Sequence, residues 1–104
     1  MDLADHVFRQ TRQLPGAEFD LRRQMRRAAV SIPSNIAEGF RRQRRLAYQN
    51  HVSIALGSHG ELETQLEVAF RNNFLAREQC GELTVLTDRV GAMLYRLHES
   101  LPEL

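Results

Sequence analysis

The sequence predicts an all-α protein, an antiparallel up-and-down four-helix bundle whose second helix is kinked at Pro33. Apolar residues recur at steps of three and four along the chain, whereas no stretch sustains the two-residue alternation of a strand. Breakers divide this pattern into four amphipathic segments with short connections, which is typical of such bundles. A chain of 104 residues builds one small core, so residues 1–104 are expected to form a single domain.

The four helices are expected near residues 2–14, 18–42, 44–71 and 76–100. Pro15-Gly16 ends the first segment, Arg41 to Arg45 hold the second turn, and Asn72-Asn73 mark the third. The residues expected to be buried are Leu21, Met25, Ile32, Val52, Leu62, Leu66, Val90 and Leu97. The apolar stripe of the fourth helix comprises Leu83, Leu86, Val90, Met93, Leu97 and Leu101.

Pro33 is the awkward residue of the second helix, because it lacks a backbone donor and crowds the carbonyl of Ala29. Two structures remain open at this point. Either one continuous helix is kinked there, or a new helix starts with Asn35 and Glu38 as a capping box. The apolar stripe keeps its phase across the proline, which favours the continuous, kinked helix.

The composition excludes several classes of protein. No apolar run approaches the roughly 20 residues that span a bilayer, and residues 1–10 lack the layout of a signal peptide. We therefore expect a cytoplasmic protein with no membrane partner. Cys80 is the single cysteine, which excludes an internal disulfide framework and a multi-cysteine zinc site.

All 14 basic residues are arginines, and they are unevenly distributed. Residues 1–60 carry ten arginines and five acids, a charge of +5, whereas residues 61–104 carry four arginines and eight acids, a charge of −4. A GC-rich coding bias would produce the arginines without any function. Alternatively, guanidinium groups suit bidentate binding of phosphate and carboxylate. The opposite charges of the two halves make the chain a charge dipole, although its formal net charge is only +1.

No constellation of residues predicts an enzyme, a metal site or a cofactor. His59 and Glu63 are spaced to share a metal, but His59 lies on the apolar seam of the third helix, which favours a hydrogen-bonded core or interface histidine. Cys80 lies near a helix start without an identifiable base, so we interpret it as a semi-buried small hydrophobe rather than a thiolate. Gly57 and Gly60 form no phosphate loop and are expected to permit close helix contact.

The best candidate for a functional site is a set of arginines in and after the second helix, which would bind nucleic-acid phosphates with little sequence preference. These are Arg22, Arg23, Arg26, Arg27, Arg41, Arg42, Arg44 and Arg45. At about 100° per residue, the first four cover the flank opposite Met25. No aromatic residues for base stacking are interleaved with them. The alternative is a solvated face, or pairing with the acids Glu61, Glu63 and Glu67 of the same or a neighbouring subunit.

Two stretches closely resemble one protein family. Residues 24–42, QMRRAAVSIPSNIAEGFRR, and residues 54–69, IALGSHGELETQLEVA, are similar to the four-helix-bundle proteins first named for the intervening sequences of 23S ribosomal RNA genes. That family includes the accessory variability determinant of diversity-generating retroelements. The resemblance covers roughly residues 5–101. It implies a bundle that forms a ring-like homopentamer with a basic surface and no catalytic site. For the retroelement relatives, it implies binding to nucleic acid and to a reverse transcriptase.

The chain departs from the family pattern at three places. An extra stretch usually precedes the residue that matches Asp2, so the first helix looks shortened, and His51 and His59 stand where the family has large apolar residues. These changes would loosen the bundle or move polar groups to an interface. Polar groups beside a kink can satisfy the carbonyls that a proline leaves unpaired, so we interpret the shared motif as a structural device. Its residues are Ser31, Pro33, Asn35, Glu38 and Gly39.

The sequence thus predicts a non-enzymatic oligomeric bundle that binds RNA or DNA phosphates through an arginine-rich face. Opposite charges on its two halves permit head-to-tail packing that closes into a ring, and the resemblance supplies the number five. The alternative function is a protein-only adaptor or scaffold, whose basic surface meets an acidic or polymerase-like partner such as a reverse transcriptase.

Overall fold

The computed structural model describes residues 2–100, and Leu101 of the expected fourth stripe lies outside them. The helices are α1 (Asp2–Gln10), α2 (Phe19–Arg42), α3 (Arg45–Arg71) and α4 (Arg77–Ser100), and no strand occurs in this part of the chain. The all-α prediction is therefore confirmed. The expected first helix is shorter than predicted, because its last turn, Thr11–Gln13, is a 3-10 helix. Over residues 2–100, no helix has the length and apolarity needed to cross a membrane.

The four helices close into one bundle. α1 packs against α2 and α4, α2 packs against α3, and α3 packs against α4, in a body 44 Å long. Because α1 has nine residues and its partners have 24 each, it covers only part of the groove between α2 and α4. An apolar groove of about 520 Å³ remains beside its start, lined in part by Pro33, Phe40 and Met93.

Most of the predicted core is confirmed. Five of the eight residues are buried, namely Met25, Ile32, Val52, Leu62 and Leu66. Val90 is half-buried because it lines the groove that α1 leaves open, and Leu21 and Leu97 are half-buried near the ends of the bundle. The expected position of Met93 in the core is wrong, since Leu94 is fully buried and Met93 is 50% exposed.

The turns form where the sequence predicts them. α3 ends in a Schellman motif, in which Asn73 takes a positive φ of 58° and the Phe74 amide donates to the Ala69 carbonyl at 2.9 Å. The amide of Ala76 donates to the Gln79 side chain at 3.0 Å, which caps the start of α4. Between α2 and α3, Gln43 takes the left-handed conformation with a φ of 56°.

α2 runs unbroken across Pro33, so the alternative of a new helix after the proline is wrong. The two side chains expected to cap such a helix bond along α2 instead. Asn35 donates to the Ser31 carbonyl one turn before it at 2.8 Å, and Glu38 accepts from Arg42 one turn after it at 3.0 Å. The kink at Pro33 stays a prediction.

Close contact between helices occurs at glycines other than the expected pair. A Cβ added at Gly57 or Gly60 would meet no atom within 4 Å, so the expectation for these two positions is wrong. At Gly39 an added Cβ would lie 2.8 Å from the Cβ of His51. At Gly91 it would lie 2.6 Å from the ring of His59. Each histidine on α3 therefore packs against a glycine of a neighbouring helix.

Candidate nucleic-acid interface

The eight predicted arginines form two clusters at opposite ends of α2. We call Arg22, Arg23, Arg26 and Arg27 the groove arginines, and Arg41, Arg42, Arg44 and Arg45 the turn arginines. At 1.5 Å per residue, the 14 residues from Arg27 to Arg41 correspond to about 21 Å along the helix. The clusters are thus separate, although Arg23 and Arg41 are five turns apart and share one side of α2.

The groove arginines surround a recess of about 470 Å³ beside α1. Its lining also includes Phe8 of α1 together with Phe19 and Val30 of α2. The Arg26 guanidinium lies 4.8 Å from the centroid of the Phe8 ring, and the Arg23 guanidinium lies 5.9 Å from that of Phe19. No aromatic residue is interleaved with these four arginines in the sequence, but the fold places Phe8 and Phe19 beside them.

Arg26 holds the end of α1 against α2. Its Nε donates to Thr11 Oγ1 at 3.0 Å, and its terminal nitrogen donates to the Phe8 carbonyl at 3.1 Å. Arg26 and Arg22 are half-buried, whereas Arg23 and Arg27 are exposed. The expected placement of all four opposite Met25 is thus wrong for two of them, because about 100° per residue puts Arg22 and Arg26 only about 60° and 100° from Met25.

The positive charge in this groove is not neutralised. No groove arginine forms an ion pair within residues 2–100. Burial lowers the pKa of Arg26 below its ordinary value, and the charges of Arg22 and Arg12 lower it further. A guanidinium stays protonated at neutral pH nonetheless. The Nε of Arg22 is buried and has no hydrogen-bond partner in the described part of the chain.

The turn arginines lie in a different environment. All four are exposed, and Arg42 donates to Glu38 Oε1 at 3.0 Å. This hydrogen bond, together with the Arg42 charge, lowers the pKa of Glu38. Arg41, Arg44 and Arg45 have no carboxylate partner within the residues that the structure describes. The exposed Arg42–Glu38 pair contributes little to stability, so all four turn arginines are available for other contacts.

The shared motif supplies a polar seam between α2 and α3. Ser31 Oγ lies 2.7 Å from Ser58 Oγ, and the Asn35 amide also contacts Ser31 Oγ at 3.0 Å. The nitrogen of the Asn35 side chain donates to Ser31, and the oxygen of the same amide, Oδ1, accepts from His51 Nδ1 at 2.9 Å. Gly39, one turn further, allows the close approach at His51. Pro33 faces away from this seam toward the apolar groove.

The other candidate groups serve packing. His59 Nε2 donates to the Thr87 carbonyl at 2.8 Å with its side chain 12% exposed, which confirms a hydrogen-bonded core histidine. Its Nδ1 lies 3.5 Å from Glu63 Oε1. Cys80 is buried, as interpreted, and burial raises the pKa of its thiol. Among residues 2–100, no three His, Cys, Asp or Glu side chains are arranged to hold a metal ion.

Fold and surface together define a four-helix bundle with a polar α2–α3 seam and two arginine clusters. The chain belongs to the family described as 23S rRNA-intervening sequence protein, whose family model matches residues 1–96. The fold is similar to a crystal structure of a protein with unknown function from the S23 ribosomal protein family of Bacteroides thetaiotaomicron. The TM-score is 0.86 at 25% identity, over 94% of this chain and 89% of that one. No curated protein matches the chain.

Proposed function

We propose that this protein is a non-enzymatic, oligomeric bundle that binds RNA or DNA phosphates through its arginines. One observation carries the proposal: of the eight arginines, all but Arg42 lack a carboxylate partner within residues 2–100. Arg23, Arg27 and Arg41 lie along one side of α2, and Arg23 and Arg41 are separated by about 27 Å of helix. A spread of positive charge over this distance suits a phosphate backbone, which carries one charge per about 3.4 Å on each strand.

A salt titration of binding to duplex DNA tests this proposal. The Arg23→Gln/Arg27→Gln double variant should bind all sequences more weakly, because phosphate contacts carry no base information. Its log–log salt slope should be less negative by about 0.9 for each phosphate that the variant no longer neutralises. Arg26 is left unchanged, since it holds Thr11 and the Phe8 carbonyl.

The matched control is Arg89→Gln/Arg96→Gln, which removes the same charge from exposed positions of α4. This variant should retain nearly the wild-type affinity and slope. Equal weakening in both double variants would mean that net charge alone matters. No measurable binding at about 50 mM salt, where phosphate contacts are strong, would overturn the proposal.

We further propose that the protomers assemble into a homopentamer. The charges of +5 on residues 1–60 and −4 on residues 61–104 support head-to-tail contacts between copies. The apolar groove beside α1 and the 74% exposure of Phe40 supply surface that a second copy would cover. The number five comes from the family resemblance. Light scattering that gives a monomer at micromolar concentration would overturn the assembly.

A protein-only adaptor is the second candidate function, and the surface at the turn favours it. Phe40 and Leu46, which are 74% and 67% exposed, flank the turn arginines. Apolar side chains among cations fit an acidic protein partner, such as a polymerase-like enzyme or a reverse transcriptase. Absence of nucleic-acid binding at low salt, together with capture of purified acidic partner protein, would place this function first.

A further inference from the structure

The arginine-lined recess beside α1 brings together two exposed aromatic rings from different helices. Phe8 comes from α1 and is 39% exposed, whereas Phe19 starts α2 and is 58% exposed. Between and around them lie the four groove arginines, and no carboxylate is among the lining residues. Flat aromatic faces beside unneutralised guanidinium groups are the chemistry with which proteins hold the bases and phosphates of single strands.

Contacts among its own residues hold part of this recess in place. Arg26 is fixed by its hydrogen bonds to Thr11 and to the Phe8 carbonyl, so that its guanidinium stays against the Phe8 ring. Arg23 lies against Phe19 one turn away on the same helix. The Nε of Arg22 is buried and has no hydrogen-bond partner within residues 2–100, so this donor is unsatisfied. A guanidinium that is already held in place, as that of Arg26 is, lowers the entropic cost of binding.

We propose that the arginine-lined recess binds an unpaired nucleotide, with its base against Phe8 and Phe19 and its phosphates against the exposed arginines. The inference rests on the proposed function and deepens it, since it names single-stranded nucleic acid as the preferred ligand. In a duplex each base face is covered by its neighbours, so only an unstacked base offers a face to the rings. The volume of about 470 Å³ is in the range of small-ligand sites.

Phe40 provides a matched comparison within the same helix. Like Phe19, it is an exposed ring beside arginines, but its neighbour is Tyr48, with ring centroids 6.2 Å apart and planes at 76°. It lines the apolar groove on the other side of α1 rather than the arginine-lined recess. If Phe19 only adds apolar surface near positive charge, its removal should affect binding as little as the removal of Phe40 does. If Phe19 stacks a base, its removal should weaken binding more than the removal of Phe40.

The test compares a short DNA strand that carries one 2-aminopurine with the same strand annealed to its complement. The wild type should quench the fluorescence of the free strand on binding and prefer it to the duplex. Phe19→Ala should weaken single-strand binding by about five- to 150-fold, the effect of one stacked base, and leave duplex affinity unchanged. Phe19→Tyr should retain binding, and Phe40→Ala should resemble the wild type.

Each outcome decides a different claim. If neither the strand nor the duplex binds at low salt, the proposed function fails and this inference with it. If both bind, but Phe19→Ala and Phe40→Ala have equal effects, the inference alone is overturned. Circular dichroism of Phe19→Ala separates loss of stacking from loss of the fold. The quenching of 2-aminopurine by the wild type tests stacking directly, even if this variant does not fold. An RNA strand of the same sequence shows whether the 2′-hydroxyl adds affinity.

Discussion

The two arginine clusters, one near the start of α2 and one at the turn between α2 and α3, have four members each, yet they differ in how those arginines are used. At the groove end, Arg26 is half-buried and hydrogen-bonded to the Phe8 carbonyl and to Thr11, and no carboxylate lines the recess. At the turn end, all four side chains are exposed, and Arg42 pairs with Glu38. At the groove end, Arg26 holds α2 against α1 through its hydrogen bonds. At the turn end, α2 packs closely against α3 where Gly39 meets His51. Clustering in sequence is thus a poor guide to which cations are free.

The largest effect is expected at the glycine that fastens the turn end. Gly39→Ala adds a Cβ that would lie 2.8 Å from the Cβ of His51 and 3.4 Å from the Tyr48 Cα, so a helix backbone must shift. Overpacking of this kind should lower the free energy of unfolding by about 1–3 kcal/mol. Gly57→Ala is the control, because open space surrounds it and alanine favours the helix by up to about 1 kcal/mol. Urea denaturation measures both; equal stabilities would contradict the close contact.

The next effect contrasts one arginine from each end. Arg26→Gln should lower the free energy of unfolding by about 1–2 kcal/mol, since it removes two hydrogen bonds from a charged donor and leaves Thr11 and the Phe8 carbonyl less well satisfied. Arg42→Gln, which breaks an exposed pair, should stay within about 0.5 kcal/mol of the wild type. Thermal unfolding monitored by circular dichroism compares the two. A larger destabilisation in Arg42→Gln would reverse the comparison.

A third prediction separates the ends by ligand. Arg44→Gln/Arg45→Gln removes two exposed charges at the turn and should weaken binding to duplex and single-stranded DNA by similar factors. Arg23→Lys keeps the charge but loses the planar group beside Phe19, so it should weaken single-strand binding more than duplex binding. Fluorescence anisotropy with both ligands at one salt concentration measures the ratio. If Arg23→Lys lowers both affinities equally, the groove contributes charge alone.

The smallest effect concerns Glu38. Its pKa is lowered by Arg42, so the pair contributes stability above the ordinary carboxyl pKa of about 4.5 and loses it as the pH falls through the lowered value. In Arg42→Gln the pKa of Glu38 should rise toward the ordinary value, which an NMR titration of its side-chain carboxyl carbon detects. An unchanged pKa would show that the pair does not persist in solution.

The helical period was sufficient to predict the fold, because burial follows it closely in α2 and α3. It placed Met25, Val52 and Leu62 in the core, where all three are fully buried. The error at Met93 arises because α1 is too short to cover that face of α4, a fact about a neighbouring helix that the period of α4 does not contain.

The site was predicted in part. Phe19 precedes Arg23 by four residues, a spacing that places both on one side of a helix, so this pair was readable from the sequence. Phe8 and Thr11 were not, since they reach Arg26 only through the packing of α1 on α2. The polar seam had a weak signal in Ser31, Asn35 and Gly39, which recur every four residues. Their partners on α3 are fixed by tertiary structure.

The brevity of α1 has a consequence for exchange with solvent. Its nine residues are held by three buried side chains, Leu3, Ala4 and Val7, and by the hydrogen bonds that Arg26 donates to the Phe8 carbonyl and to Thr11 just beyond the helix. A short helix with few buried side chains opens at a lower free energy than the whole domain does. When α1 opens, the arginine-lined recess loses one wall, because Phe8 belongs to α1. A ligand in the groove therefore stabilises the closed segment by mass action, so occupancy should be readable as slower amide hydrogen exchange in α1, with little change in the central turns of α3.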